Sequence, residues 1–233
     1  MRETNYHKSK VRFQMDRISF FSDAVFAIAI TLLVLDLKVP VIANPTDQAF
    51  LAAFGGMAFK FIGFLVSFCI VGYYWLVHHR IFGYVERYTD ALLKYNFLFL
   101  FSVVLLPFSS ELSAEYASEA GVLFPYAVYV FNICLTALMN VLLWGYVSDP
   151  EKGLLTHQIS GSRIRFGLKL ALVVPSVFMF SFLVSIFFPI VGRLIPISLP
   201  LIFFFIFRSH GKHQAALNNI VAVPAVVHAR IVG

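Results

Sequence analysis

Charge is what this sequence has least of. Of its 233 residues only 13% are Asp, Glu, Lys or Arg, and these few are grouped between long apolar runs. A water-facing bundle needs a polar face along each helix, so a soluble all-helical domain is excluded. Cysteine is nearly absent. Cys69 and Cys134 both lie inside apolar runs, which implies no disulfide framework and fits small buried side chains. GxSxG, HExxH and a glycine-rich phosphate loop are missing too, which removes the usual signatures of hydrolase, metalloprotease and nucleotide chemistry. No small-residue cleavage site follows the first apolar stretch, which is too long for a signal-peptide core, so that helix is expected to be retained.

What the chain has in excess is apolar residues. They make up 60% of it, with a mean hydropathy of +0.83, where a soluble domain has about 45–50%. Hydropathy divides the sequence into six spans, roughly 17–38, 51–78, 91–112, 123–147, 165–189 and 190–207. Each is near or above the ~20 residues that cross ~30 Å of hydrocarbon. The sixth is the weakest, because it contains Pro196 and Pro200 and follows a tight turn at Pro189; a kinked or re-entrant helix is an alternative there. A transmembrane domain is expected over 1–212 and a C-terminal tail over 213–233.

Lys and Arg placement sets the orientation. With the N-terminus inside, fifteen of the 18 lie on the inner side, Lys38 and Arg193 lie outside, and Lys60 lies within the second span. That bias predicts six spans with both termini in the cytoplasm, and the acidic outer loop with Glu111, Glu115 and Glu119 agrees. Topology thus accounts for the net charge of +6, and no nucleic-acid partner is implied.

The first span carries the most specific pattern. Ile28, Thr31, Leu32 and Leu35 follow the i, i+3, i+4, i+7 spacing and form one stripe, flanked by the small residues Ala24 and Ala27. Such a stripe is either an ordinary packing face or a set of apolar rings around a pore, which gate by dewetting. Asp23 points about 140° away from Ile28 at ~100° per residue, so it faces neighbouring helices. A carboxylate at that depth needs a partner. Trp75 and His78, three apart at the inner end of the second span, offer an indole N–H and an imidazole. An interfacial aromatic belt explains Trp75, His79 and Arg80 but explains Asp23 less well.

Four competing readings are weaker. Ile70-Val-Gly72-Tyr73-Tyr74 superficially matches the TVGYG filter, yet it lacks the first Thr and last Gly and lies inside a continuous apolar helix. Ser22, Asp23 and His78 include the residue types of a hydrolytic triad. Adjacent Ser22 and Asp23 diverge by ~100°, however, so the chain is not expected to be an enzyme. His78 and His79, adjacent on a helix, cannot easily chelate one metal, and no metal or cofactor is expected. A cation- or proton-coupled transporter is the serious alternative, with Lys60 and Asp36 as possible coupling charges. At the outer end of a pore helix, Asp36 would instead form a ring of carboxylates at the mouth.

Arg17-x-x-x-Phe21-Ser22-Asp23, continuing through Ala24 to Thr31, resembles the RxxxFSD signature of the transmembrane protein 175 family, the bacterial relatives of the endolysosomal potassium channel. Trp75 with His78, Asn96 and Pro107-Phe108 are similar to further motifs of that family. The resemblance covers the first three spans well and the last three only in hydropathy. It implies a homotetrameric potassium channel in the inner membrane, permeable to K⁺ and other monovalent cations, with no carbonyl filter and with the first helix around the axis. It implies that Ile28 forms the narrow constriction, with Leu32 and Leu35 as rings further out and Thr31 as a hydroxyl layer. Arg17, Ser22 and Asp23 would join Trp75 and His78 in a network that holds the helices together.

Overall fold

A computed structural model of the chain describes residues 2–119, 121–155, 161–206 and 208, with backbone alone over 2–10 and at 12. Seven α-helices are bounded among them, α1 (Arg2–Leu35), α2 (Asp47–Gly56), α3 (Ala58–Phe82), α4 (Asp90–Glu115), α5 (Phe124–Ser148), α6 (Gly161–Phe187) and α7 (Pro189–Leu194), and a further helical stretch covers 199–206. No strand occurs among the described residues; one isolated bridge joins Val85 to Leu155. Six helical stretches are long and apolar enough to cross a bilayer. The fold is all-α and polytopic. The described chain forms one compact unit up to Pro196 and begins a second at Ile197, and the tail expected over 213–233 lies outside the described residues.

Two of the expected spans differ in the structure. The second does not run continuously from 51: the chain breaks at Met57, leaving α2 as a separate short helix with α3 as the span. Thr46 caps α2 by accepting the Ala49 N–H at 3.1 Å, and Asp47 follows in the first turn. The sixth stretch, Pro189–Ile206, is α-helical in α7, 3-10 over Ile195–Ser198 and α-helical again over 199–206. Pro196 has no N–H for the Gly192 carbonyl, and the Ser181 hydroxyl donates to that carbonyl instead at 2.6 Å. Gly192 lies so close to α6 that a Cβ there would meet the Ser185 backbone nitrogen at 2.5 Å.

Helices α4 and α5 form the middle of the bundle. About half of the α4 and α5 spans is buried (44% and 50%), against 22% for α1. Helix α4 packs on α1, α3 and α5, and α5 packs on α6. Several polar groups inside this core find one another, while Tyr74 Oη, Asn132 Oδ1 and Asn140 Oδ1 have no hydrogen-bond partner among the described residues. Ser67 of α3 bonds to Ser110 of α4 at 2.5 Å and to the Tyr129 hydroxyl of α5 at 2.7 Å, while Asn132 of α5 donates to Ser109 at 3.0 Å. In hydrocarbon no water is available to satisfy them, so these bonds fix how the helices meet.

Candidate functional site

Helix α1 has two faces of opposite character. Met15, Ser22, Phe26, Ala29 and Leu33 are buried, and their spacing keeps them on the side that packs against α3 and α4. On the other side Ile28, Leu32 and Leu35 are 59%, 39% and 69% exposed. Ala24, Ala27 and Thr31 are exposed between them. Among the described residues nothing else covers this stripe. The Thr31 hydroxyl gives its proton to its own helix, lying 3.0 Å from the Ala27 carbonyl and 2.9 Å from that of Ile28. What it presents outward is therefore oxygen lone pairs.

The buried face is tied down by two separate hydrogen-bonded branches. In one, the Trp75 indole of α3 donates to the Asp23 carboxylate at 2.9 Å. In the other, the His78 Nε2–H donates to Asn96 Oδ1 of α4 at 2.8 Å. The Asn96 amide then donates to Ser22 Oγ at 3.1 Å, and Ser22 donates to the Ile18 carbonyl at 2.9 Å. The three bonds of this relay run in one consistent direction, from His78 through Asn96 and Ser22 to the Ile18 carbonyl. The His78 ring lies between aromatic rings, 4.3 Å from Phe82 and 5.8 Å from Phe99, with Phe26 of α1 at 5.6 Å. The imidazole is thus the point where α1, α3 and α4 converge.

In the structure Asp23 accepts from Trp75, whereas His78 reaches Ser22 only through Asn96. Asn96 resembled a family motif without a role in the network; as an amide among apolar residues two turns into α4, it signals a buried partner. Arg17 does not join either branch. It is exposed on α1 and has no hydrogen-bond or ion-pair partner among the described residues.

At the end of the bundle expected to lie outside, charged side chains meet one another within the chain. The Lys60 ammonium lies 2.5 Å from Glu115. Asp36 shares a crevice between α1, α3 and α4 with Glu111 and Lys60. Burial, followed by the neighbouring Glu111 carboxyl, pushes the Asp36 pKa up to about 6, with Lys38 opposing. Asp36 is therefore engaged with Glu111 of α4, and the Lys38 ammonium lies 4.0 Å from the same carboxylate. Arg193, expected only as an outer charge, holds the α4–α5 connection. Its guanidinium donates to the carbonyls of Tyr116 at 3.3 Å, Glu119 at 3.4 Å and Val122 at 2.7 Å, and to that of Ala117.

The family model described as endosomal/lysosomal potassium channel TMEM175 matches residues 17–107, the stretch that contains both branches of the network. A potassium channel of Streptomyces collinus is 36% identical over 159 residues, covering 65% of this chain and 75% of its own length. One of Chamaesiphon minutus is 34% identical over 163 residues, covering 67% and 80%. A similar solved structure is the crystal structure of a homologue of the lysosomal potassium-selective channel TMEM175 from Chamaesiphon minutus. It matches with a TM-score of 0.67 and 28% identity, over 84% of this chain and 98% of that one.

Proposed function

This chain belongs to the TMEM175 family of potassium channels, and from that premise we propose that it conducts K⁺ and other monovalent cations as a homotetramer in the bacterial inner membrane, with α1 lining the pore. The observation that carries this reading is the uncovered stripe of α1. A helix buried over only 22% of its span, in a bundle whose centre is α4 and α5, has its free face available to copies of itself. Small residues along that face, Ala24 and Ala27, permit close approach of helices.

The proposed gate consists of stacked rings of Ile28, Leu32 and Leu35. A passage narrowed by such side chains does not hold a water column, so ions cross only when the rings dilate. Between Ile28 and Leu32, four copies of Thr31 would offer the lone pairs described above to a partly dehydrated cation. One hydroxyl layer is a sparser cage than stacked carbonyl rings, so K⁺ would be favoured over Na⁺ only modestly. The branches through Trp75–Asp23 and His78–Asn96–Ser22 would fix the rotation of α1 and so aim the stripe at the axis. Asp36, turned to Glu111, is left out of the lining proper. The described chain up to Pro196 would serve as the channel domain, together with the helical residues that follow it.

The test is a planar-bilayer recording of the purified chain. Cation currents without a coupled co-substrate support the reading, and Ile28→Asn should raise conductance or open probability by wetting the narrowest ring. An unaltered current in Ile28→Asn would remove α1 from the pore lining. Stoichiometric uphill transport would instead support the coupled transporter, a reading weakened here because Lys60 is held by Glu115.

A further inference from the structure

We infer that the crevice between the inner ends of α1 and α4 binds a phosphate-bearing anion, with Arg17 and Lys94 as its cationic ligands. The crevice is a cavity of about 770 Å³, and Arg17, Lys94, Gln14 and Asn96 supply its polar lining. None of the described residues lining it carries a carboxylate. Neither cation has an ion-pair or hydrogen-bond partner among the described residues. Two unneutralised cations facing one cleft, with low-dielectric walls beside them, focus a positive potential into it. A planar guanidinium paired with an ammonium suits phosphate oxygens, the first by a two-pronged contact and the second as a mobile point charge.

The position gives such an anion a role, and here the inference rests on the proposed arrangement of α1 around the axis. Arg17 precedes Ile28 by eleven residues, about three turns, and so lies on the same stripe. The Lys and Arg bias assigns this end to the cytoplasm. A tetramer would therefore carry a ring of guanidiniums below its constriction, flanked by the Lys94 ammoniums. Left bare, that ring opposes cation entry from the cytoplasm. With phosphate bound it is neutralised, and the inner mouth admits cations. Phe21 and Phe97 continue the crevice as an apolar wall. The phosphate could accordingly be that of a soluble compound or of a phospholipid headgroup whose acyl chain lies on those rings.

The experiment measures binding and current separately on the full chain. Thermal unfolding is followed in phosphatidylcholine nanodiscs with pyrophosphate titrated in, and again in phosphatidylglycerol nanodiscs without it. A saturable rise in Tm with pyrophosphate assigns the site to a soluble phosphate, and a rise with phosphatidylglycerol alone assigns it to the lipid. In either case Lys94→Gln should weaken the response at least about tenfold, the loss of one charge-assisted contact. Arg17→Gln should do the same, and if that variant fails to assemble, Lys94→Gln carries the comparison. The inference is overturned if neither phosphate source shifts Tm. It is equally overturned if sulfate at matched ionic strength acts like pyrophosphate, or if both variants respond as the parent does. Bilayer recording then supplies the second arm: pyrophosphate on the cytoplasmic side should increase current in the parent and not in Lys94→Gln. Binding without any current would sink the channel reading and leave the anion site standing.

Discussion

Replacing Asn96 by Leu removes the acceptor of the His78 Nε2–H and the donor to Ser22 in one step. His78 is 2% exposed, so its N–H loses its acceptor with no water within reach. An orphaned buried donor costs about 1–3 kcal/mol and a lost neutral bond about 0.5–1.5 kcal/mol, so Asn96→Leu should destabilise by roughly 2–4 kcal/mol. His78→Phe should cost about 1–3 kcal/mol, because Asn96 Oδ1 is then the orphan. The two changes together should cost clearly less than their sum. A phenyl ring can take the place of the imidazole against Phe82 and Phe99, and Ser22 keeps its bond to the Ile18 carbonyl. A double-mutant cycle on reversible unfolding in mixed micelles should therefore give a coupling of about 1–3 kcal/mol. Additive single effects, within about 0.5 kcal/mol, would refute the relay as a unit.

Three further outcomes are expected. Thr31→Ala should lower the K⁺ over Na⁺ permeability ratio while Thr31→Ser keeps it, measured by reversal potentials in mixed salts; equal ratios in all three would take the hydroxyl out of selectivity. Asp36 should make stability fall as pH rises. Its carboxyl holds the proton more tightly in the folded protein, so its contribution is present below the ordinary value of 3.8 and is lost as pH climbs through about 6. Asp36→Asn should accordingly have a higher Tm than the parent at pH 7.5 and a similar one at pH 4, and a difference independent of pH would refute this. Gly192→Val should destabilise by about 1–3 kcal/mol or more from overpacking against Ser185, seen as a lower Tm.

Much of this fold was legible in the sequence because hydrocarbon imposes a simple length rule. The first, third, fourth and fifth apolar runs correspond to helices with ends within a few residues of the expected ones, apart from the N-terminal extension of α1. Hydropathy could not show the break at Met57, since both sides of it are apolar and the interruption lies in the backbone, where Met57 leaves the helical conformation (φ −89°, ψ 2°). Nor could it show how the sixth stretch copes with Pro196, because the answer is a Ser181 hydroxyl from another helix. At the site, helical phase alone separated Asp23 from the Ile28 stripe, and Trp75 is where a donor was needed. The role of Asn96 was harder to see. A single amide among Phe and Leu residues signals a buried bond, but its partners come from two other helices. The pairing of Lys60 with Glu115 and of Asp36 with Glu111 depends likewise on helix adjacency, which periodicity does not carry.

The polar attachments of α1 are concentrated at one end of its span. Ser22 and Asp23 are bonded to α3 and α4, whereas Phe26, Ala29 and Leu33 beyond them are held by apolar packing alone until Asp36. Mechanically, this makes the helix a lever with its fulcrum near Asp23. Ile28 stands about 8 Å along the axis from that point and Leu35 about 18 Å. With the Asp36–Glu111 contact released, a tilt of α1 would swing Leu35 more than twice as far as Ile28. The rings would part from the outside inward, and Ile28, nearest the fulcrum, would be the last to open and the first to close.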